Sequence, residues 1–305
     1  MTNYQFTLPA WLEVIFIFSL VDPRFSNFHS KSGVTQDYSF VKIFGEGDNR
    51  KIKVVLLKSF CEYSDKSNNR GVNDYKLEDN ITRAKSLIFE LAFCNPWEWF
   101  FTGTLDASKY NRSDLDKFHK DFTKWINNYN RLKGSNIKFL IIPELHKDMI
   151  NWHFHGFLMN LPESHLHQFR IGDRMGSKIA KRVSLGYNVF NWLPFMNKFG
   201  FCDLEPIQNP EAVSKYVTKY INKDLGKSVT EVGAHMYYRS RGLKRAVNVA
   251  EGVLPVECPW TFENERVKVA WLPYSDELLQ FLTIDDSPIR QVHYENYRLV
   301  GDFVV

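Results

Sequence analysis

Cysteine is scarce and scattered: Cys61, Cys94, Cys202 and Cys258 are far apart among 305 residues, with no Cys-x-x-Cys pair. That spacing suggests neither a zinc ribbon nor a disulfide framework, and fits a reducing cytoplasm. No long apolar run is present. The nearest candidate, Trp11–Leu20, contains Glu13 and is too short to span a bilayer. No Lys or Arg precedes it, which argues against a secretory signal, and it reads as a buried strand or short helix. Internal repeats and low-complexity tracts are missing. So is a Walker loop, G-x-x-x-x-G-K-[ST]. A strong net charge is absent too: 39 Lys and Arg face 35 Asp and Glu, net +4.

What is present is a globular balance, 44% hydrophobic and 24% charged, with an aromatic share of 15% that includes 25 Phe. Aromatics fill cores and also stack on bases. The charge is unevenly placed. Residues 170–245 hold 14 Lys and Arg against 6 Asp and Glu, whereas residues 251–305 hold 4 against 10. A basic middle before an acidic tail suits a polyanion, and equally describes a solvated basic face.

Periodicity predicts short strands in Phe40–Phe60, a polar loop over residues 62–80 and a helix from Asn80 to Phe93. Residues 97–105 alternate as a strand. A helix then opens at Ser113 with Asp116 as a capping box. Its stripe is Leu115, Phe118, Phe122, Trp125, Ile126, Tyr129 and Leu132, and Gly134 ends it. Ile137–Ile142 and Trp152–Asn160 read as strands joined by the hairpin loop Leu145–Asn151. A helix follows Pro162, and Phe199–Gln208 is a further strand. Asn209-Pro210 opens the last clear helix, before Gly226. The first six elements of this β-α-β-β-α-β-α order match a split βαβ, ferredoxin-like sheet. The fold class is therefore α+β, a central antiparallel sheet with flanking helices. In that topology the strand at 152–160 lies between those at 97–105 and 137–142.

Four groups of residues carry chemistry. His153 and His155 alternate on one strand and project from one face, where two imidazoles can share a divalent metal; a packed sheet surface explains many such pairs. Glu144 lies across the hairpin, next to His153, as a third ligand or an exposed strand-end carboxylate. Two histidines and a carboxylate suit Mg2+ or Mn2+. His146 reads as a loop residue, and His165 and His167 as a helical surface pair. The third group is Tyr216 and Tyr220, four apart, with Lys219 and Lys223 each three residues after a tyrosine. The same residues, with Val213, Val217 and Ile221, also form an ordinary apolar stripe. Thr102 and Thr104 share a face on the strand predicted beside the histidines, to contact DNA or hold the site.

Taken in order, Phe-x-Thr-x-Thr-x-Asp from Phe100, Glu144 with His153-Phe-His-Gly156, and Tyr216-Val-Thr-Lys-Tyr-Ile-Asn-Lys223 resemble the HUH rolling-circle replication initiators. The two-tyrosine form is that of small single-stranded DNA bacteriophages and related prophage or plasmid elements. The similarity covers roughly residues 80–245. It implies an HUH endonuclease domain there, an N-terminal extension over 1–79 and an acidic extension over 246–305. The resemblance makes His153, His155 and Glu144 metal ligands, Tyr216 the principal nucleophile, Tyr220 the second, and Lys219 an aid to phosphate or phenolate. Lys223, Arg239, Arg241, Lys244 and Arg245 become DNA contacts, with Arg170, Arg174, Lys181 and Arg182. Tyr237 and Tyr238 stack on bases or pack in the core. Implied partners are single-stranded origin DNA and a host helicase and polymerase in a bacterial cytoplasm, with no membrane. A single-tyrosine transposase, a metal-dependent hydrolase and a DNA-binding module without covalent catalysis stand as alternatives.

Overall fold

The computed structural model describes residues 38–58, 72–146, 148, 150–220, 236–252, 258–264 and 267–283. The run Trp11–Leu20, Lys223 and Gly226 lie outside the described residues. In chain order the strands are β1 (Tyr38–Phe44), β2 (Lys51–Leu57), β3 (Trp99–Leu105), β4 (Lys138–Leu145), β5 (Trp152–Met159), β6 (Leu166–Gln168), β7 (Phe190–Trp192), β8 (Gly200–Pro206), β9 (Tyr238–Arg239), β10 (Val247–Gly252), β11 (Phe262–Glu263) and β12 (Val267–Pro273). The α-helices are α1 (Val72–Phe93), α2 (Leu115–Lys133), α3 (Ser177–Ser184), α4 (Leu193–Lys198), α5 (Pro210–Val217) and α6 (Asp276–Thr283). The protein is α+β with two antiparallel sheets, and its contacts divide it into a unit of residues 1–86 with 245–305 and a unit of residues 87–244.

The first unit carries a five-stranded sheet in the order β10-β1-β2-β12-β11. Strands from both ends of the chain therefore share one sheet, β1 pairing with β2 on one side and β10 on the other. One face buries Val41, Ile52, Val54, Ala270 and Leu272 against Leu278, Leu279 and Leu282 of α6. The other buries Tyr38, Phe40, Val55, Leu57, Val267 and Val269.

The second unit carries a seven-stranded sheet in the order β6-β7-β8-β3-β5-β4-β9. β5 lies between β3 and β4, the position expected for the histidine strand. One face of this sheet is apolar because Phe101, Leu105, Phe139, Ile141, Phe154, Cys202 and Leu204 alternate onto it, all buried. Helix α2 covers that face: Phe118 stacks on Phe154 at 4.1 Å, and Phe122 and Ile126 are buried beside it. Phe195 and Phe199 complete an aromatic layer that takes up much of the abundant Phe. Each such ring removed from water contributes about 1.5–3 kcal/mol before entropy is counted.

Three local expectations change. α1 starts at Val72, so its first nine residues come from the stretch read as loop. The cap of α2 is Asp114 rather than Ser113: its carboxylate accepts the Lys117 amide at 2.9 Å, while Ser113 donates its amide to the Asn111 side chain. The segment after Pro162 is a single 3-10 turn (Glu163–His165) followed by β6, not a helix, because pairing of β6 with β7 outweighs local propensity. His165 consequently hydrogen-bonds Tyr129, and exposed His167 pairs with Asp173 at 3.0 Å.

Candidate active site

The face of the second sheet opposite α2 carries histidine, threonine and carboxylate side chains among apolar ones, and strand pairing fixes its layout. Registered residues on neighbouring strands point the same way, so each row across the sheet is a set of neighbours. One row runs Asp203, Thr102, His155 and Ile142 from β8 to β4; the next runs Phe201, Thr104, His153 and Glu144. A third row holds Glu205, Phe100 and Phe157. His153 and His155 thus share a face, Thr102 and Thr104 stand beside them, and Glu144 sits in register with His153.

Hydrogen bonds tie the rows together. Thr104 Oγ1 lies 2.9 Å from His153 Nδ1, and Thr102 Oγ1 3.5 Å from His155 Nδ1. The Glu144 carboxylate reaches along the strand to His155 Nε2 at 2.8 Å rather than to His153, its register partner. This diagonal contact holds the Glu144 carboxyl below the usual carboxylate range, against burial and with help from the charges of His155, His153 and Lys219. The His153 imidazole is lowered, by burial first and then by the neighbouring charges of His146, His155 and Arg112, with Glu144 opposing. His146, read as a loop residue, stands with its ring 4.8 Å from that of His153.

Tyr216 and Tyr220 come over this face from the end of α5. Asn209 caps α5 by accepting the Ala212 amide at 3.0 Å, with Pro210 in its first turn. The α-helix stops at Val217, and a 3-10 turn carries Thr218–Tyr220. The Tyr220 ring stacks on His155, centroids 3.9 Å apart and planes 8° off parallel. Its hydroxyl donates to the Tyr216 hydroxyl at 3.1 Å, and Tyr216 meets Phe100 edge-on at 5.6 Å. Lys219 places its ammonium 3.4 Å from the Tyr216 ring centre and 4.8 Å from that of Tyr220. Tyr220 is 8% exposed and Tyr216 41%. Burial, then the bond to Tyr216, pushes the Tyr220 phenol well above its ordinary range.

Asp203 belongs to the cluster and was not singled out from the sequence. The Thr102 hydroxyl donates to it, yet burial, and next the nearby Glu205, push its carboxyl up to about 7 despite Arg182, Thr102 and Lys178. Its signal is the alternation Phe201-Cys202-Asp203-Leu204-Glu205, which becomes informative once β8 is known to lie beside β3. Arg182, expected to contact phosphate, is ion-paired with Glu205, whereas Arg170, Arg174 and Lys181 are exposed.

The other basic candidates are dispersed. Arg239 is in register with Leu140 at the sheet edge and shares the histidine face. The backbone at Arg241 and Lys244 lies at the opposite end of β4 from Glu144: Lys138 donates to the Arg241 carbonyl, and Lys244 bonds Asn95 in both directions. Arg245 falls in the first unit. Tyr238 is buried and stacked on His119 at 3.9 Å, so it packs in the core and is not a platform for bases.

Among the described residues no three His, Cys, Asp or Glu side chains converge as a preformed metal cage, and no helix is long and apolar enough to cross a membrane. No curated protein and no solved structure matches the chain. Residues 98–225, less than half of the chain but the part that holds this whole cluster, match the family model of the replication-associated protein ORF2.

Proposed function

We propose that the protein is a replication-initiation endonuclease that nicks single-stranded origin DNA through a tyrosine and remains joined to the new 5′ end. The observation that carries this reading is the stack of Tyr220 on His155 with the Tyr216 hydroxyl bonded beside it, two phenols directly over a His-x-His pair. The order β8-β3-β5-β4 is that of a split βαβ unit and supports a ferredoxin-like, HUH-type core. The family match supports a role in DNA replication.

His153, His155 and Glu144 fit a divalent cation in kind. Each Nδ1 faces a threonine hydroxyl, which leaves Nε2 for a ligand, as metal-binding histidines are commonly oriented. His155 Nε2 and Glu144 Oε2 are close enough to share one cation, a proton when nothing else is bound. Mg2+ or Mn2+ held there would supply polarisation of the scissile phosphodiester.

The chain's own residues do the rest. A phenol of ordinary pKa, about 10, is a weak nucleophile at neutral pH. The Tyr220 hydroxyl donates to the Tyr216 hydroxyl, and the Lys219 ammonium stands over the Tyr216 ring, where it can meet the phosphate that the phenol attacks. Tyr216 is the more exposed phenol and takes the first attack. Its oxygen bonds to phosphorus as the bond from phosphorus to the 3′ oxygen breaks; the phenol gives up its proton and the 3′ oxygen gains one. The products are a 5′-phosphotyrosine and a 3′-OH that primes a polymerase. The phosphodiester energy is conserved, so rejoining needs no nucleotide. Tyr220 then serves a second transfer while Tyr216 holds the first end. Strand separation and synthesis fall in this reading to a host helicase and polymerase, and no Walker loop occurs in the sequence.

The test is a denaturing gel. The full chain is incubated with Mn2+ and labelled single-stranded DNA tiling the genetic element that encodes it. A heat-stable protein–DNA band that needs metal and is lost in Tyr216→Phe/Tyr220→Phe is expected. Cleavage without a covalent band would replace the nickase with a water-activating hydrolase, and tight binding without cleavage would leave a DNA-binding module.

A further inference from the structure

Arg112 lies in the loop between β3 and α2, and the tyrosine chemistry above makes no use of it. Its carbonyl accepts the amide of Trp152 at 3.1 Å, which ties the loop to the first residue of β5, next to His153. Its side chain is half-buried. Its Nε is fully buried and has no hydrogen-bond partner, and among the described residues no carboxylate pairs with its guanidinium. Buried donors are nearly always satisfied, and a guanidinium carries a planar fork matched to phosphate oxygens. The guanidinium is close enough to His153 for its charge to act on that ring, so an anion arriving beside the histidines would supply the partner its Nε lacks.

Direction along β5 says which anion. Tyr216 meets Phe100, the register partner of Phe157; Tyr220 stacks on His155; His153 follows; Trp152, bonded to Arg112, comes last. The tyrosines therefore stand at the His155 end of the histidine pair, and the Arg112 backbone at the His153 end. In-line displacement places the entering and leaving oxygens on opposite sides of phosphorus. An attack from the tyrosine side sends the 3′ oxygen toward Arg112. We propose that Arg112 binds the first phosphate 5′ of the nick and holds the strand that ends in the freed 3′-OH. It is a positioning residue for strand rejoining, and the inference rests on the nicking reading.

The test measures rejoining. Purified covalent adduct is mixed with a short oligonucleotide that ends in 3′-OH at the nick, either unmodified or carrying one neutral methylphosphonate at the phosphate 5′ of its terminal nucleoside. With the wild-type chain the methylphosphonate slows rejoining about tenfold or more. Arg112→Gln slows the unmodified oligonucleotide to a similar extent and loses its sensitivity to the methylphosphonate, and Arg112→Lys recovers part of both. Factors that simply multiply, or an Arg112→Gln chain that rejoins at the wild-type rate, would overturn the proposal. A wild-type chain insensitive to the methylphosphonate would overturn it without any variant. A wild-type chain that forms no adduct would overturn the nicking reading, and this inference with it.

Discussion

Tyr216 and Tyr220 share a hydrogen bond but not an environment. Tyr216 is open to solvent and Tyr220 is clamped between its neighbour and the His155 ring. Tyr216→Phe is therefore expected to lower the first nick by about a hundredfold or more, because the proposed nucleophile is removed outright. Tyr220→Phe removes a donor to Tyr216 and should cost the first nick only about tenfold. It should block the second transfer, visible as adducts that accumulate without release. Equal loss of first nicking in both variants, read in single-turnover gels, would contradict this division. At Asp203 the expectation concerns stability. Its folded carboxyl titrates near 7, above the ordinary carboxylate value, so burial favours the neutral form. Stability from this group is full below the unfolded value of about 4 and is lost as pH rises through about 7. Asp203→Asn should then melt higher than the wild type at pH 8, with the gap closing toward pH 4. A gap independent of pH would show that the carboxyl is not held neutral.

Between residues, the site is made by register. β5 can carry two outward histidines only because Phe154 and Gly156 face the other way, and Gly156 is where β4 comes closest. A Cβ there would lie 1.9 Å from the Leu140 carbonyl oxygen, part of the backbone of a paired strand. Gly156→Ala is expected to cost on the order of 3 kcal/mol, since backbone must shift to admit it. Denaturant unfolding measures this, and a loss under about 1 kcal/mol would show that the two strands can part locally. Asp114→Ala should cost about 1 kcal/mol through the lost cap of α2. Ser113→Ala, at the position favoured by the local pattern, should be nearly neutral. Pattern made β3, β5 and the α2 stripe legible, because alternation and 3.6-residue periodicity are local signals. The same locality explains what was missed. Asp203 becomes a site residue only through the pairing of β8 with β3, and Arg112 only through the bond from Trp152, both contacts between residues far apart in sequence.

Over the whole chain, the unit of residues 87–244, built on the seven-stranded sheet, holds every residue of the proposed chemistry that lies among the described residues. The five-stranded sheet joins strands from residues 38–57 with strands from 247–273, a closure that no local pattern announces. Truncation before Val267 should therefore unravel that sheet, because β12 pairs along the whole length of β2. Loss of soluble protein on truncation would agree, and an unchanged melting profile would not. The basic middle of the chain likewise does not make one surface. Arg182 is neutralised by Glu205, and the 241–244 backbone runs at the end of β4 far from Glu144. Net charge over a sequence window thus describes no single face, whereas strand pairing brings the proposed site residues of β3, β4 and β5 side by side.

Mass spectrometry of the adduct reads out the proposed covalent bond between DNA and Tyr216 residue by residue. The wild-type chain is incubated with origin DNA and Mn2+, digested with nuclease and protease, and the nucleotide-bearing peptide is sequenced. A nucleotide joined through its 5′ phosphate is expected on Tyr216 after a single turnover, with Tyr220 modified only in later turnovers. Cleaved DNA with no modified tyrosine, or modification confined to Tyr220 at first turnover, would contradict it.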